Sequence, residues 1–327
     1  MRLRQALLVL LILVATRPAV AAEVGFAMAS VPDPPGEPLQ VGIWYPTAAT
    51  PSEQDVGLFT QTVAPDAPVA GGGHRLIVFS HGNGGTFEGH YDTALALAHS
   101  GFVVAAMTHT GDNYRDHSRE LLLADRPRAV HAVIDYMLAS WSGHAAIDPA
   151  KVGMFGFSAG GLTALVSAGG VPDLSLVAPY CAGHPDTFVC HLRASHAEGV
   201  QPVPAGSWIA DPRIRAAVVA APAVGFVFTR AGLQKVTIPI QLWRAEHDHI
   251  LPSPDYVEAV RDALPRPPEY HVVAGADHFD FLAPCSDPLA FAAPEICQEI
   301  GGFDRAAFHR EFDGVVVRFF ERTLNPS

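Results

Sequence analysis

Six short apolar runs constrain this chain more than any other feature of it: Leu76-Ile77-Val78-Phe79 and the stretches 102–106, 152–157, 216–220, 238–243 and 270–273. A strand with one wet face alternates apolar and polar residues, whereas a solid run is apolar on both faces and belongs in a sheet covered on both sides. The segments between these runs carry a helical period instead. Ala94, Leu95, Leu97 and Ala98 form one such stripe, Val130, Val133, Ile134, Met137, Leu138 and Trp141 a second, and 256–264 a third. The last stripe holds Phe308, Phe312, Val315, Val316, Phe319, Phe320 and Leu324. Strand alternating with helix predicts an α/β fold, a mostly parallel central sheet with helices on both faces. Residues 40–45 read as an earlier strand ended by Pro46, and 49–73, rich in Ala, Pro and Gly, as a long surface connection. The rhythm breaks at 171–212, where Pro172, Pro179, Pro185, Pro202, Pro204 and Pro212 predict an irregular insertion following a small-residue helix at 158–167.

Open sheets of this kind bind ligands outside the carboxyl ends of their strands, so chemistry is to be sought just past each apolar run. The run 152–157 passes directly into Gly156-Phe157-Ser158-Ala159-Gly160-Gly161. A serine between two glycines on a sharp strand-to-helix turn is lifted above the sheet, with a helix N-terminus behind it that favours developing negative charge. A capping serine on an ordinary turn is the competing reading. A hydroxyl needs a base to take its proton. His278, in the loop Ala274-Gly275-Ala276-Asp277-His278 after the last strand, is placed to be that base. The base in turn needs an acid to hold its tautomer. Asp248 follows the strand 238–243 and completes the order Ser, Asp, His, with Glu246 and Asp280 as weaker rivals. Developing oxyanion charge requires N–H donors. The glycine-rich turn Ser80-His81-Gly82-Asn83-Gly84-Gly85 offers the Asn83 amide, and the residue after the serine offers that of Ala159. The loop His109-Thr110-Gly111-Asp112-Asn113 should border the site, either touching substrate or merely turning the chain. Acyl transfer by such a set requires no metal or organic cofactor.

With 49% hydrophobic and only 17% charged residues, the 327-residue chain can bury ample surface, which excludes a disordered protein. Its net charge of −12 argues against nucleic acid as a partner, because affinity for phosphates comes from Lys and Arg. Arg2 and Arg4, the apolar stretch 6–15, Pro18 and Ala19-Val20-Ala21 have the layout of a secretory signal spanning 1–22. No later segment reads as a membrane span, so the expected product is a secreted or periplasmic single domain over 23–327. Export colours the four cysteines. Cys181 with Cys190 and Cys285 with Cys297 are the local pairs, favoured as disulfides among three connectivities. A metal site at Cys181, His184, Cys190 and His191 is the alternative, with a spacing unlike the usual zinc patterns. His247 and His249, flanking Asp248, read as pocket wall or surface. Phe188, Leu192 and Trp208 line either a substrate pocket or the insertion's own small core.

These residues resemble the α/β-hydrolase superfamily and, more narrowly, the dienelactone-hydrolase-like serine esterases akin to platelet-activating-factor acetylhydrolase. The resemblance rests on Gly42-Ile43-Trp44-Tyr45-Pro46-Thr47, Ser80-His81-Gly82-Asn83-Gly84, Asp125-Arg126-Pro127, Gly156-Phe157-Ser158-Ala159-Gly160-Gly161, and His278-Phe279-Asp280-Phe281-Leu282 followed by Cys285. It implies a carboxylic-ester hydrolase acting on a small-molecule or lipid ester, with short or oxidised acyl chains. Dienelactone hydrolases themselves use a cysteine where this chain has Ser158, which favours ordinary esters over dienelactones. A peptidase or amidase on the same scaffold is the runner-up, although peptidases of this fold usually carry a propeller or large cap. A non-catalytic binding protein would be expected to have lost part of the set.

Overall fold

The computed structural model describes residues 22–33, 36–196, 203 and 206–325; the signal reading at 1–22 lies, but for Ala22, outside the described residues, as do Pro202 and Pro204. A ten-stranded sheet organises the chain. Its strands are β1 (Glu23–Val31), β2 (Leu39–Thr47), β3 (Ser52–Val56), β4 (Phe59–Pro65), β5 (His74–Ser80), β6 (Val103–Thr108), β7 (Ile147–Phe157), β8 (Ile214–Ala220), β9 (Ile240–Ala245) and β10 (Glu269–Val273). They lie in the order β10-β9-β8-β7-β5-β6-β2-β1-β4-β3. From β10 to β6 every neighbouring pair is parallel, while β2 runs antiparallel to both β6 and β1. The helices are α1 (Tyr91–His99), α2 (Asp125–Ala139), α3 (Ala159–Ser167), α4 (Val177–Gly183), α5 (Phe188–Ser195), α6 (Arg230–Leu233), α7 (Val257–Ala263), α8 (Asp287–Ala292) and α9 (Arg305–Thr323).

The solid apolar strands are divided between two cores by the period-2 pleat. Leu76 and Val78 of β5 face a layer formed by α2, α3 and α7, whereas Ile77 and Phe79 face α1 and α9. Both sides of the central strands are thereby dry, whereas the run 270–273, at the sheet's edge in β10, is not covered on both faces and leaves Val272 exposed. The chain leaves β5 for β6 on one side and returns to β7 on the other, so the strand order reverses at β5 and opens a crevice there. Ser80 at the end of β5 pairs in register with Gly156 near the end of β7. The two glycine-rich turns therefore emerge side by side.

Three expectations need correction. The stretch 49–73 is not a bare connection, because it contains the hairpin β3–β4. Phe59, Gln61 and Val63 alternate inward along β4, and Gln61 Oε1 accepts a hydrogen bond from Trp44 Nε1 at 2.9 Å. A polar residue at one inward position hides a period-2 pattern that a buried amide partner makes affordable. Pro46 does not end its strand: β6 pairs with β2 only as far as Trp44, and beyond it β2 has β1 as its neighbour, where proline is tolerated. β1, unread in the sequence, supplies that neighbour. The insertion is not irregular throughout either, since it folds α4 and α5 and ties them by a disulfide between Cys181 and Cys190. A second disulfide joins Cys285 to Cys297. Both local pairs are thus formed, and the alternative metal site at Cys181 and Cys190 has no free thiolate. Among the described residues no helix is long and apolar enough to cross a membrane.

Candidate active site

Ser158 sits between β7 and α3 at φ 55° and ψ −117°, a backbone conformation that L-residues rarely adopt. The close approach that forces this turn is visible at its glycines. A Cβ on Gly156 would lie 2.0 Å from the Gly160 carbonyl oxygen, and one on Gly160 would lie 1.8 Å from that of Ser80. The strained residue is held in place by backbone hydrogen bonds, its N–H donating to Ala220 O and its carbonyl accepting from Gly161 N and Ala223 N. Every residue of α3 is buried, and its small side chains let the helix pack tightly behind the turn.

His278 Nδ1 lies 2.8 Å from Asp248 Oδ2, and its Nε2 lies 3.1 Å from Ser158 Oγ. A carboxylate can only accept, so Nδ1 carries the hydrogen and Nε2 presents its lone pair to the hydroxyl. Asp248 Oδ1 is occupied by the N–H groups of Ile250 and Leu251, which leaves Oδ2 for the ring. All three side chains are buried. The ring of Phe157 packs against the His278 imidazole at 4.8 Å between centroids. Asp277 caps the short turn His278–Phe281, accepting the His278 N–H at 2.7 Å, and Asp280 closes the same turn from its other end.

The rivals stand elsewhere. Asp280 pairs with Arg305, and Glu246 accepts from the Gly275 N–H. His249 binds Asp277 and is largely exposed, as is His247. Phe188 is exposed, which excludes it from an insertion core, whereas Trp208 packs against the main core.

The Asn83 and Ala159 N–H groups donate to no group among the described residues. The turn that bears Asn83 lies against the serine, since a Cβ on Gly82 would stand 3.3 Å from Ser158 Cβ. The Asn83 side chain is turned away, with Nδ2 donating to Asp112 Oδ1 and Glu120 Oε2 at 2.9 and 2.8 Å. Asp112 Oδ1 also accepts the Gly84 N–H. The 109–113 loop thus props the glycine-rich turn from behind. Glu120 in turn meets His196, just past α5, so the insertion reaches the same support.

Behind this turn is a buried cation, Arg126, which the sequence singles out only within the motif Asp125-Arg126-Pro127 and with no role attached. Arg126 donates to Asp112 Oδ2, to the His81 carbonyl and to Thr163 Oγ1, while Thr163 Oγ1 donates to Ala159 O. One guanidinium therefore connects the asparagine turn to the first turn of α3. A signal for it was present: Arg126 lies on the apolar stripe of α2, one turn before Val130 and in line with Val133 and Met137. A charge on such a stripe demands a buried counter-charge.

His81 and His109 complete the support. His81 Nδ1 donates to the Gly82 carbonyl, and its Nε2 accepts the His109 N–H. Burial, with Arg126 nearby, pushes His81 down to about 3 and His109 well below its ordinary value. Both rings are therefore neutral when folded, whereas unfolding lets each take up a proton at the ordinary value of 6.5. The unfolded chain then binds more protons throughout the window below that value. Stability is fully present above about pH 6.5 and falls on acidification, by about 1.4 kcal/mol per pH unit for each ring. Urea unfolding at a series of pH values should show this loss between neutrality and about pH 4. A flat profile there would overturn the neutral assignment.

The mixed sheet with its parallel centre, its two helical layers and the crevice at β5 and β7 constitute an α/β-hydrolase fold, with a Ser–His–Asp constellation at the carboxyl ends of its parallel strands. No protein-family model and no curated protein matches the chain. Among solved structures it is similar to the ferulic acid esterase from Streptomyces cinnamoneus, with a TM-score of 0.67 and 19% sequence identity over 95% of this chain and 94% of that one. That likeness is one of fold.

Proposed function

We propose that residues 23–327 form one exported serine-esterase domain that cleaves carboxylic esters through an acyl-enzyme. The observation that carries the reading is the continuous hydrogen-bonded line Ser158 Oγ, His278 Nε2, His278 Nδ1, Asp248 Oδ2 beside two undonated amides. Ser158 Oγ attacks the ester carbonyl as its proton passes to His278 Nε2. The imidazolium is stabilised by Asp248, and the carbonyl oxygen, now an oxyanion, accepts from the Asn83 and Ala159 N–H groups. Collapse expels the alcohol, which takes the proton from His278. Water then repeats the sequence on the acyl-serine and returns the enzyme to its starting state. Because neutral imidazole is the working form, the rate falls as His278 becomes protonated.

Two disulfides suit an oxidising compartment and support export. Resemblance to the acetylhydrolase-like esterases favours short acyl groups on small-molecule or lipid esters, while the structural neighbour named a ferulic acid esterase suggests an aromatic acyl group. A chromogenic ester series from acetyl to long chain, with a feruloyl ester alongside, separates these. The expected result is serine-dependent turnover that declines with acyl length. Preferential turnover of the feruloyl ester would replace the short-acyl assignment. Failure on every ester, with Ser158 still labelled by a fluorophosphonate, would overturn the esterase reading in favour of amide substrates.

A further inference from the structure

Asp92, at the start of α1, and His309 and Asp313, one turn apart on α9, each offer one ligand atom within 4.8 Å of the other two. This group takes no part in the reaction proposed above. What distinguishes it from an ordinary ion-pair cluster is how the ligand atoms are held. Asp92 Oδ1 accepts the Thr93 N–H at 2.9 Å, which leaves Oδ2 buried without a hydrogen-bond partner. His309 Nε2 donates to the Asp280 carbonyl at 2.9 Å, which leaves Nδ1 buried and unpartnered as well. Asp313 Oδ1 accepts from Thr93 Oγ1 at 2.6 Å, so its second oxygen is the one left over. Each side chain is thus anchored through one heteroatom and presents another to a common point, the arrangement by which outer hydrogen bonds orient metal ligands.

The contact between the two orphaned atoms points the same way. His309 Nδ1 and Asp92 Oδ2 are only 2.7 Å apart, yet misaligned for a hydrogen bond. With Nε2 as the donor to Asp280, Nδ1 is the ring atom that faces Asp92 Oδ2, and a metal ion can take the place of the proton these two atoms would otherwise share. A second carboxylate, Asp313, offers its ligand atom within the same 4.8 Å.

We infer that Asp92, His309 and Asp313 form a binding site for a divalent transition-metal ion of the zinc class. Imidazole as a ligand and only three protein donors disfavour calcium, which takes six to eight oxygens, and magnesium, which favours oxygen ligands and octahedral water. Two carboxylates and one histidine, with water completing the shell, suit zinc. The ion would clamp α1 to α9. Through the His309–Asp280 hydrogen bond it would also brace the turn that carries His278, so its role is structural.

The test is zinc titration of the full mature chain after chelator treatment, followed by a competing chromophoric chelator and by thermal unfolding. The expected result is one zinc per chain, a transition temperature that rises with zinc, and loss of both effects in D313N. That variant keeps an oxygen to accept from Thr93 and so preserves the helix contact. T93V, which frees Asp313 without removing a ligand, should weaken zinc by about 10–100-fold. S158A should bind zinc like the parent, so the result stands apart from the esterase reading. No stoichiometric uptake at micromolar zinc would overturn the proposal. Uptake unchanged in D313N and in H309Q would do so equally, since it would place the ion on surface histidines.

Discussion

Replacing Ser158 by Ala should lower ester turnover by about 10⁴–10⁶-fold, equivalent to about 5–8 kcal/mol of transition-state stabilisation. The fold should be untouched. Alanine keeps the β-carbon, so the strained backbone at φ 55° is no worse than with serine, and the side chain loses one hydrogen bond, to His278. Circular dichroism and the transition temperature should therefore match the parent, within about 1 kcal/mol of stability. Asp248→Asn provides a sharper control. The amide can still accept from Ile250 and Leu251, but it can no longer stabilise a positively charged imidazole, and turnover should fall by about 10⁴-fold with geometry preserved. An S158A protein that turned over at the parental rate, with the parental unfolding curve, would remove Ser158 as the nucleophile.

The residues of this line were legible in the sequence because chemistry and punctuation coincide there. Glycines bracket Ser158 because a Cβ on either collides with backbone, a constraint local enough to be read in six letters. Asp248 and His278 each follow an apolar run, where an open sheet exposes side chains to a crevice. The sheet's central strands were legible for a related reason, since burial on both faces leaves a solid apolar run. The strands β1, β3 and β4 at one edge were not. β1 and the β3–β4 hairpin have mixed faces and polar residues such as Gln61 whose partner, Trp44, lies 17 positions away. Arg126 and Asp112 each stand in a segment the sequence singles out, but their partnership was not legible, on the same ground. Their pairing joins α2 to the loop after β6, and nothing in the local pattern of either names the other. The meeting of Asp92 with His309 is more distant still, because it depends on two helices more than 200 residues apart in the chain.

That buried pair carries the second large effect. Replacing Arg126 by Met should destabilise the protein by about 3–5 kcal/mol, because Asp112 is left as a buried carboxylate without its cation. Lower stability alone would follow from any buried ion pair. The role of Arg126 in positioning the asparagine turn makes a separate claim, that turnover falls even in the fraction that stays folded. Arg126 holds the His81 carbonyl and, through Asp112, the Gly84 N–H and the Asn83 side chain, so the proposed Asn83 donor loses its fixed direction. An oxyanion donor is worth about 10²–10³-fold in kcat, while ground-state binding of the ester scarcely uses it. R126M assayed well below its transition temperature should therefore show a depressed kcat with KM little changed. Adding D112N separates the two consequences. The double variant has no orphaned charge, so stability should return in large part, but the guanidinium that tied the turn to α3 is still missing and kcat should stay low. Recovery of kcat together with stability would mean that Arg126 serves the fold alone, and the positioning role would be abandoned.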